Sequence, residues 1–258
     1  MSGHNDVRGV IMDLDGVVYR GGEVLPGAAD FFTFLRDTGR SVVALTNHSG
    51  RTANAYSMKL AGLGVELEAD RIITSAWAAA TYVRRSFPGA RVFVVGTSAL
   101  EQELRAEDVV LAEEEVDLVV VGFVERLAEA PLQQAIEHLL KGARLIATNP
   151  DPVLPVPGGF VAECGPVMAY LEAASGCRAH VIGKPNPWIV DLALERLGVA
   201  REESLLVGDT LATDVAAARA SHVKAALVLT GNTALAPDAP DLLVAKDLRG
   251  LLEALRTT

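Results

Sequence analysis

Short β-branched runs alternate with amphipathic segments along most of this chain, and this alternation constrains its fold more than any other feature. GVIM ends before Asp13, AADFFTFLRDTG follows, and SVVAL ends before Thr46. Strand, helix and strand in that order form a βαβ unit, which requires a parallel sheet. The sequence therefore predicts an α/β fold whose core is a doubly wound, Rossmann-like parallel sheet.

A long interval separates two polar segments of the chain, TNHSG at residues 46–50 and GKP at residues 183–185. It is as long as a small domain, whereas a crossover within a sheet needs only a short helix. Strands are predicted at RVFVVG, VDLVVVGF and RLIATN, with helices at SALEQELRAE and PLQQAIEHLLKG. We therefore predict a core over residues 1–78 and 179–258 and an inserted, smaller α/β domain over residues 79–178.

Two segments at the end of this insert carry further expectations. PDPVLPVPGG from Pro150 is rich in proline and glycine and is predicted to be a stiff, turn-rich loop. HVIG from His180 is predicted to be the strand with which the core sheet resumes, before LLVGD and AALVLTG. The amphipathic segment LRGLLEALR is predicted to be the last helix.

The composition excludes several classes of protein. The chain has 258 residues, half of them apolar, and a formal net charge of −10, which argues against binding to nucleic acids or anionic membranes. Its two cysteines, Cys164 and Cys177, do not form the disulfide framework of a small secreted protein. The beginning of the chain does not resemble a signal peptide, and its apolar runs are too short to cross a bilayer. A cytoplasmic protein is predicted.

Four polar clusters each follow a predicted strand: DLDG from Asp13, TNHSG from Thr46, GKP from Gly183 and GDTLATD from Gly208. Ligands of open α/β sheets bind at the carboxyl ends of the strands, so the four clusters are expected to converge in space. Asp15 shares the side of an extended backbone on which Asp13 lies. Two like charges in one pocket need a counter-charge, and a divalent cation is the usual one.

The other clusters supply further polar groups for an anionic ligand. Asp209 and Asp214 are hard carboxylate ligands suited to Mg²⁺. Thr46 and Asn47 can donate hydrogen bonds to phosphate oxygens, and Lys184 offers a positive charge between a glycine and a proline. Together with Asp13, they form the set of groups that phosphoryl transfer requires.

Taken singly, each cluster has an ordinary structural explanation. DLDG is compatible with an Asp-Gly turn, and Thr46 and Asn47 with a strand-to-helix loop. Asp209 or Thr210 could cap the following helix, and most lysines are simply solvated. No dinucleotide-binding glycine motif follows the first strand, and no P-loop motif occurs in the chain. Only the four clusters in combination favour the functional interpretation.

The chain resembles the haloacid dehalogenase-like phosphohydrolases, whose four motifs match DLDG, TNHSG, GKP and GDTLATD in order and position. The opening MDLDGVVYRGGEVLPGA, the long α/β insert and ATNPD resemble the subfamily with a class IIA cap, which makes residues 79–178 the cap. This subfamily includes 4-nitrophenyl, nucleotide, sugar, phosphoglycolate and pyridoxal phosphate phosphatases. The resemblance implies a Mg²⁺-dependent phosphatase of small phosphomonoesters, and it covers nearly the whole chain.

The resemblance also implies the chemical roles of the two acidic residues in DLDG. Asp13 would be the nucleophile that forms an aspartyl-phosphate, and its other oxygen would bind Mg²⁺. Asp15 would protonate the leaving oxygen and later deprotonate the attacking water, while its backbone carbonyl binds the metal. A halide leaving group needs no proton, so Asp15 favours a phosphatase over a dehalogenase.

The resemblance assigns the remaining site residues to the metal and the phosphate. Asp209 would bind the metal, with Asp214 as a direct or water-mediated ligand. Thr46, Asn47 and Lys184 would stabilise the phosphate oxygens. Caps of this class often mediate dimers, so the resemblance also implies a homodimer through the cap.

Several residues depart from the pattern of the family. His48 stands where relatives commonly carry a second Asn; it could line the phosphate site or only satisfy a loop, and we favour the first. After VVVG, Phe123 to Glu125 occur where an Asp is usual, and Glu163 and Cys164 replace small residues and glycine. We interpret Cys164 as a buried apolar residue. These departures affect the choice of substrate more than the reaction.

Two alternatives to a phosphatase combine similar residues. A receiver domain also has an acidic pocket, a phosphorylated Asp, a Thr and a Lys, but it is about half as long and its phosphorylated Asp follows a later strand. A binding protein that has lost catalysis could keep the fold. All the acidic residues of the motifs are present, which gives this second alternative no support from the sequence.

Overall fold

The computed structural model describes residues 6–156, 158–239 and 242–256. In chain order, its strands are β1 (Gly9–Met12), β2 (Tyr19–Arg20), β3 (Glu23–Val24), β4 (Ser41–Thr46), β5 (Ile72–Thr74), β6 (Arg91–Val95), β7 (Val110–Leu111), β8 (Leu118–Val121), β9 (Arg144–Ala147), β10 (Val153–Val156), β11 (Gly159–Ala162), β12 (His180–Val181), β13 (Ser204–Gly208), β14 (Lys224–Val228) and β15 (Leu243–Ala245).

The α-helices of the described chain connect most of these strands. They are α1 (Ala28–Asp37), α2 (Ala53–Gly62), α3 (Ser75–Ser86), α4 (Ser98–Ala106), α5 (Glu129–Leu140), α6 (Cys164–Ser175), α7 (Pro187–Leu197), α8 (Ala216–Ala220) and α9 (Leu248–Arg256). A π-helical turn, Leu211–Val215, precedes α8. Within the described residues, no helix combines the length and the apolar character needed to cross a membrane.

The described chain divides into two compact units. One runs to Thr46, resumes over Ala53–Ile73 and resumes again from Lys184; the other comprises Asn47–Thr52 and Thr74–Gly183. The predicted insert, residues 79–178, lies within Thr74–Gly183, and its exact boundaries remain a prediction.

The first unit is built on a six-stranded sheet in the order β15-β14-β13-β1-β4-β5. Strand β1 lies between β13 and β4 and is parallel to both, with Met12 opposite Val207 on one side and Ala44 on the other. The chain leaves β1 towards β4 and later returns to β13, so the order of the strands reverses at β1. In doubly wound sheets, such a reversal opens a crevice for ligands at the carboxyl ends of the strands.

The core of the first unit explains why these segments fold as they do. All four residues of β1 and all five of β13 are buried, as continuous apolar runs in a parallel sheet should be. Helix α9 has a strongly amphipathic sequence and buries Leu248, Leu251, Leu252 and Leu255. The core strands predicted at GVIM and LLVGD and the predicted last helix are therefore present.

The second unit has its own parallel sheet, in the order β12-β9-β8-β6-β7. Strand β8 is buried along its whole length and pairs with β6 and β9. Helices α5 and α6 contribute Leu139 and Leu171 to a hydrophobic cluster that includes residues of this sheet. The fold class, an α/β protein with a doubly wound core and an inserted α/β domain, is confirmed.

Two local expectations were wrong. HVIG does not resume the core sheet, because β12 (His180–Val181) pairs in parallel with β9 of the second unit. PDPVLPVPGG is not simply a loop, because Val153–Val156 pairs antiparallel with Gly159–Ala162. A proline is compatible with this hairpin, since each strand of a two-stranded ribbon is an edge strand.

Candidate active site

Three acidic side chains of the first unit come together at the carboxyl ends of β1 and β13. Asp13 follows β1, Asp209 follows β13, and Asp214 lies in the π-helical turn that comes next. All three are buried, and each offers a carboxylate oxygen within 4.8 Å of those of the other two. Strands β1 and β13 are parallel neighbours, so the sheet places the first and last motifs side by side, as predicted.

Lys184 supplies the positive charge beside this cluster. Its Nζ lies 2.5 Å from Asp13 Oδ1 and 2.6 Å from Asp214 Oδ1, and 3.4 Å from the Leu45 carbonyl oxygen. The lysine is buried, with 2% of its surface exposed. Burial lowers the pKa of Lys184, but the charges of Asp13 and Asp214 outweigh this effect and hold the pKa above its ordinary value.

The negative charges of the carboxylates still repel one another in spite of this lysine. Burial raises the pKa of Asp13 well above its ordinary value, and the charges of Asp214 and Asp209 add to the effect while Lys184 opposes it. Burial and the charge of Asp214 raise the pKa of Asp209 to about 6. Three buried carboxylates beside one ammonium group carry an excess of negative charge, which a divalent cation would neutralise.

The loop after β13 holds Asp209 and Asp214 in a fixed arrangement. The backbone N–H groups of Asp209 and Thr210 donate to Asp214 Oδ2 over 3.1 and 3.0 Å. Asp209 Oδ1 accepts from the Thr210 hydroxyl at 3.1 Å, and Asp209 Oδ2 from the Asn232 backbone N–H at 2.5 Å. Thr210 does not cap the following turn with its side chain. The capping alternative therefore does not hold for Thr210.

Asp15 is half-buried and lies two residues beyond Asp13 in the same unit. Its Oδ2 accepts a hydrogen bond of 2.9 Å from the hydroxyl of Tyr19. Burial raises the pKa of Tyr19, and the charge of Asp15 adds to this effect, so the phenol keeps its proton and acts as the donor. Sequence reasoning missed Tyr19, because a tyrosine in a buried apolar stretch gives no signal of a polar contact.

The second motif is divided between the two units. Thr46 is the last residue of β4 and belongs to the first unit, whereas Asn47 begins a segment of the second. Asn47 Nδ2 donates to Asp151 Oδ2 at 2.9 Å, and the Asn47 carbonyl accepts from Asn149 Nδ2 at 2.8 Å and from the Ser75 hydroxyl. Asn47 is thus firmly held within the second unit.

His48 is also held within the second unit, by one of the residues that depart from the family pattern. Its Nδ1 lies 3.0 Å from Glu163 Oε2, and both side chains are buried. Glu163 Oε1 accepts from Asn149 Nδ2 at 3.2 Å, and the His48 ring contacts Phe123 edge to face, with centroids 4.6 Å apart. His48 and Glu163 are 115 residues apart, so the sequence does not predict that they form a pair.

Cys164, the next departure, packs as an apolar residue. It is buried at the start of α6, and its Sγ lies 3.4 Å from the Val121 carbonyl oxygen. Burial raises the pKa of its thiol to about 11. A thiol that stays protonated at neutral pH is a poor nucleophile, which agrees with the interpretation made from the sequence.

Comparisons with known proteins give the family. A model described as haloacid dehalogenase-like hydrolase matches residues 10–110, and a second, HAD-hydrolase-like model matches residues 181–251. The ribonucleotide monophosphatase NagD of Escherichia coli (strain K12) is 35% identical over 230 residues, which are 89% of this chain and 90% of that protein. An acid sugar phosphatase of Staphylococcus saprophyticus is 35% identical over 209 residues, 81% of each chain.

A solved structure gives the same result. The 4-nitrophenylphosphatase of Thermotoga maritima superposes with a TM-score of 0.92 at 35% identity, covering 98% of both chains. This chain therefore belongs to the haloacid dehalogenase-like hydrolases. The recognition of that superfamily and of its subfamily IIA from the four motifs and the insert is confirmed.

Proposed function

We propose that this chain is a phosphatase that hydrolyses small phosphate monoesters through an aspartyl-phosphate on Asp13. The observation that carries the proposal is the buried cluster of Asp13, Asp209 and Asp214 with Lys184 in a chain of this family. Phosphoryl transfer depends mainly on positioning and charge neutralisation, and this cluster supplies a carboxylate nucleophile beside a fixed cation.

Asp13 would act first. One of its carboxylate oxygens attacks phosphorus, and the bond from phosphorus to the ester oxygen breaks as the new bond from Asp13 forms. Lys184 holds the carboxylate by its hydrogen bond to Oδ1, and we propose that its charge also stabilises the transferred phosphate. In the second step a water molecule attacks phosphorus, the bond to Asp13 breaks, and inorganic phosphate leaves.

Asp15 would act as the general acid in the first step and as the general base in the second. It gives a proton to the ester oxygen as that oxygen leaves, and it takes a proton from the attacking water in the second step. Its place two residues after the nucleophile, on the same loop, supports this role. An alkoxide is a poor leaving group, so this proton matters most for alkyl phosphates.

The three buried carboxylates suit a divalent cation, and we propose Mg²⁺. Asp13 and Asp209 would hold it, with the Asp15 carbonyl and with Asp214 directly or through water. When bound, the ion neutralises negative charge on the phosphate and the carboxylates. Hard oxygen ligands and the raised pKa values of Asp13 and Asp209 support this assignment.

The substrate class is proposed from the relatives, which are named as phosphatases of ribonucleotides, sugars and 4-nitrophenyl phosphate. Thr46 and Asn47 are proposed to donate hydrogen bonds to the phosphate, and His48 to line its site. The hydrogen bond from Asn47 Nδ2 to Asp151 engages one of the two amide protons of that group. We further propose that the protein is cytoplasmic and forms a homodimer through the cap. We also propose that it has no nucleic-acid or membrane partner, which the net charge of −10 supports.

The test is a panel of phosphate esters assayed for phosphate release with Mg²⁺ and with EDTA. The panel includes 4-nitrophenyl phosphate, sugar phosphates, nucleotides, phosphoglycolate and pyridoxal phosphate. We expect Mg²⁺-dependent turnover of at least one ester, abolished by Asp13→Asn while the fold is preserved. The matched control is Asp37→Asn, because Asp37 is an exposed residue at the end of α1.

Two results would overturn the proposal. Release of no phosphate from any ester would favour a phosphate-binding or phospho-aspartate signalling protein on the same fold. Undiminished turnover by Asp13→Asn would contradict the assignment of the nucleophile. Labelling of the wild-type protein with an activated phosphate donor, followed by trapping of the phosphoenzyme in acid, would show the intermediate directly.

A further inference from the structure

Tyr19 is a fully buried residue whose hydroxyl, the only polar group of its side chain, contacts Asp15, the proposed general acid. Its side chain is 0% exposed and belongs to the hydrophobic core of the first unit, yet its hydroxyl donates to Asp15 Oδ2 over 2.9 Å. A buried phenol hydroxyl requires a partner, and here that partner is the half-buried carboxylate of Asp15. The packing of the ring therefore restricts where the Asp15 carboxylate can lie.

The backbone between the two residues makes this contact rigid. Gly16 adopts a left-handed conformation, with φ of 84°, and its N–H donates to the Tyr19 carbonyl at 2.8 Å. The Gly16 carbonyl in turn accepts from the Thr230 hydroxyl at 2.6 Å. The loop is thus closed on itself and tied to the segment after β14, which fixes the separation of Asp15 and Tyr19.

A cation lies against the face of the same ring. Lys59, a half-buried residue of α2, has its Nζ 3.4 Å from the centroid of the Tyr19 ring. An ammonium group over an aromatic face is attracted to the ring electrons. By drawing electron density from the ring, it makes the hydroxyl a stronger hydrogen-bond donor to Asp15.

We propose that Tyr19 is a positioning residue for Asp15 and that Lys59 supports it in this role. Tyr19 and Lys59 together would determine how fast the site hydrolyses esters with poor leaving groups. Because Oδ2 accepts the phenol proton, the transferable proton of Asp15 is assigned to Oδ1. That proton passes from Oδ1 to the ester oxygen as its bond to phosphorus breaks, and the attacking water later returns a proton to Oδ1. This inference rests on the proposed phosphatase function.

The prediction concerns the difference between two substrates. With 4-nitrophenyl phosphate the leaving group needs little protonation, whereas an alkyl phosphate such as glycerol phosphate needs a well-placed acid. We expect Tyr19→Phe to lower kcat for the alkyl phosphate by about 10-fold. For 4-nitrophenyl phosphate it should lower kcat by less than about 2-fold, with KM unchanged for both substrates.

Three further variants make the test specific. Lys59→Met removes the charge while keeping most of the length of the side chain, and it should shift the ratio of the two kcat values in the same direction, by less. Tyr170→Phe, at an exposed tyrosine of α6 in the second unit, should leave the ratio unchanged. In an Asp15→Asn background, Tyr19→Phe should no longer change the ratio, because the group that it positions is gone.

The outcomes separate this inference from the proposed function. A wild-type protein that hydrolyses neither substrate refutes the function itself. Equal loss of both activities in Tyr19→Phe, or an unchanged ratio, refutes the positioning role while the phosphatase stands. If Tyr19→Phe does not fold, as circular dichroism would show, the ratio measured for Lys59→Met decides, and an unchanged ratio there overturns the inference.

Discussion

Lys184 and Asp214 are joined by a hydrogen bond of 2.6 Å between Nζ and Oδ1, and both side chains are almost wholly buried. The same Nζ lies 2.5 Å from Asp13 Oδ1, so one ammonium group bridges a carboxylate that follows β1 and one that follows β13. A buried ion pair adds little to stability compared with apolar side chains packed in the same place. Loss of one partner is costly, however, because it leaves the other charge buried without a counter-charge. The stability of the cluster and the proposed chemistry therefore depend on the same lysine.

Replacement of Lys184 by methionine should destabilise the metal-free protein strongly. The substitution leaves Asp13, Asp209 and Asp214 close together without the ammonium group, and we expect a loss of about 3–5 kcal/mol in the free energy of unfolding. Saturating Mg²⁺ should recover part of this loss, because the ion replaces the missing positive charge. Urea unfolding at pH 7.5, in EDTA and in Mg²⁺, measures both effects.

The control for this prediction is Lys141→Met. Lys141 is exposed, and the same change there should alter stability by less than about 0.5 kcal/mol. If Lys184→Met were as stable as the wild type in EDTA, the carboxylates would not depend on the lysine, and the electrostatic account of the cluster would be wrong.

Much of the core and its motifs could be predicted from sequence, because their signals are local. Buried strands of a parallel sheet appear as continuous apolar runs, and the polar residue after each run marks the edge at which ligands bind. The positions of Asp13 and Asp209 follow from these two facts once β1 and β13 are neighbours.

The rest depends on contacts between distant segments, which local patterns do not encode. Strand β12 has only two residues, and its sheet is decided by its pairing with β9 rather than by its own sequence. His48 and Glu163 are far apart in the chain and meet only in the folded second unit. Tyr19 was missed for a different reason: an apolar ring and a single hydroxyl look the same in sequence whether or not the hydroxyl has a partner.

The effect of Mg²⁺ on stability should depend on pH, because the pKa of Asp209 is raised to about 6. The folded, metal-free protein holds this proton more tightly than the unfolded chain, whose Asp has a pKa near 3.8. The stability that the proton contributes is present below about pH 4 and is lost as pH rises through about 6.

Metal binding displaces this proton, so the increase in Tm produced by Mg²⁺ should be larger at pH 7.5 than at pH 5.0. The raised pKa of Asp13 acts in the same direction. Thermal unfolding with and without Mg²⁺ across this range is the measurement, and Asp209→Asn should flatten the dependence. An equal gain at both pH values in the wild type would show that protons and metal do not compete at this cluster.

The buried contact between His48 and Glu163 should appear as a coupling energy in the second unit. His48→Asn and Glu163→Gln each disturb a buried hydrogen bond and should destabilise by about 1–3 kcal/mol. The double variant should lose less than the sum of the two, with a coupling of about 0.5–3 kcal/mol, in urea unfolding.

Arg178 and Glu172 provide the comparison pair within the same unit. Their contact is 3.5 Å long and the arginine side chain is 90% exposed, so their coupling should stay below about 1 kcal/mol. Strictly additive effects of His48→Asn and Glu163→Gln would mean that the two residues are neighbours without a significant interaction.

Gly208, the last residue of β13, should not tolerate any side chain. A Cβ built at Gly208 would lie 2.2 Å from both Cβ and Cγ of Asp214, so alanine there requires Asp214 to move. That movement would disturb the hydrogen bonds of Asp214 to Lys184 and to the backbone N–H of Thr210.

We expect Gly208→Ala to lower the free energy of unfolding by about 1–3 kcal/mol or more and to weaken Mg²⁺ binding. Urea unfolding and calorimetric titration measure these two effects. Gly62→Ala is the matched control, because a Cβ at the end of α2 would meet no other side chain or loop of the described residues within 4 Å. This substitution should be neutral or stabilising by up to about 1 kcal/mol. Wild-type stability and metal affinity in Gly208→Ala would show that Asp214 is free to shift without consequence, contrary to its placement in the site.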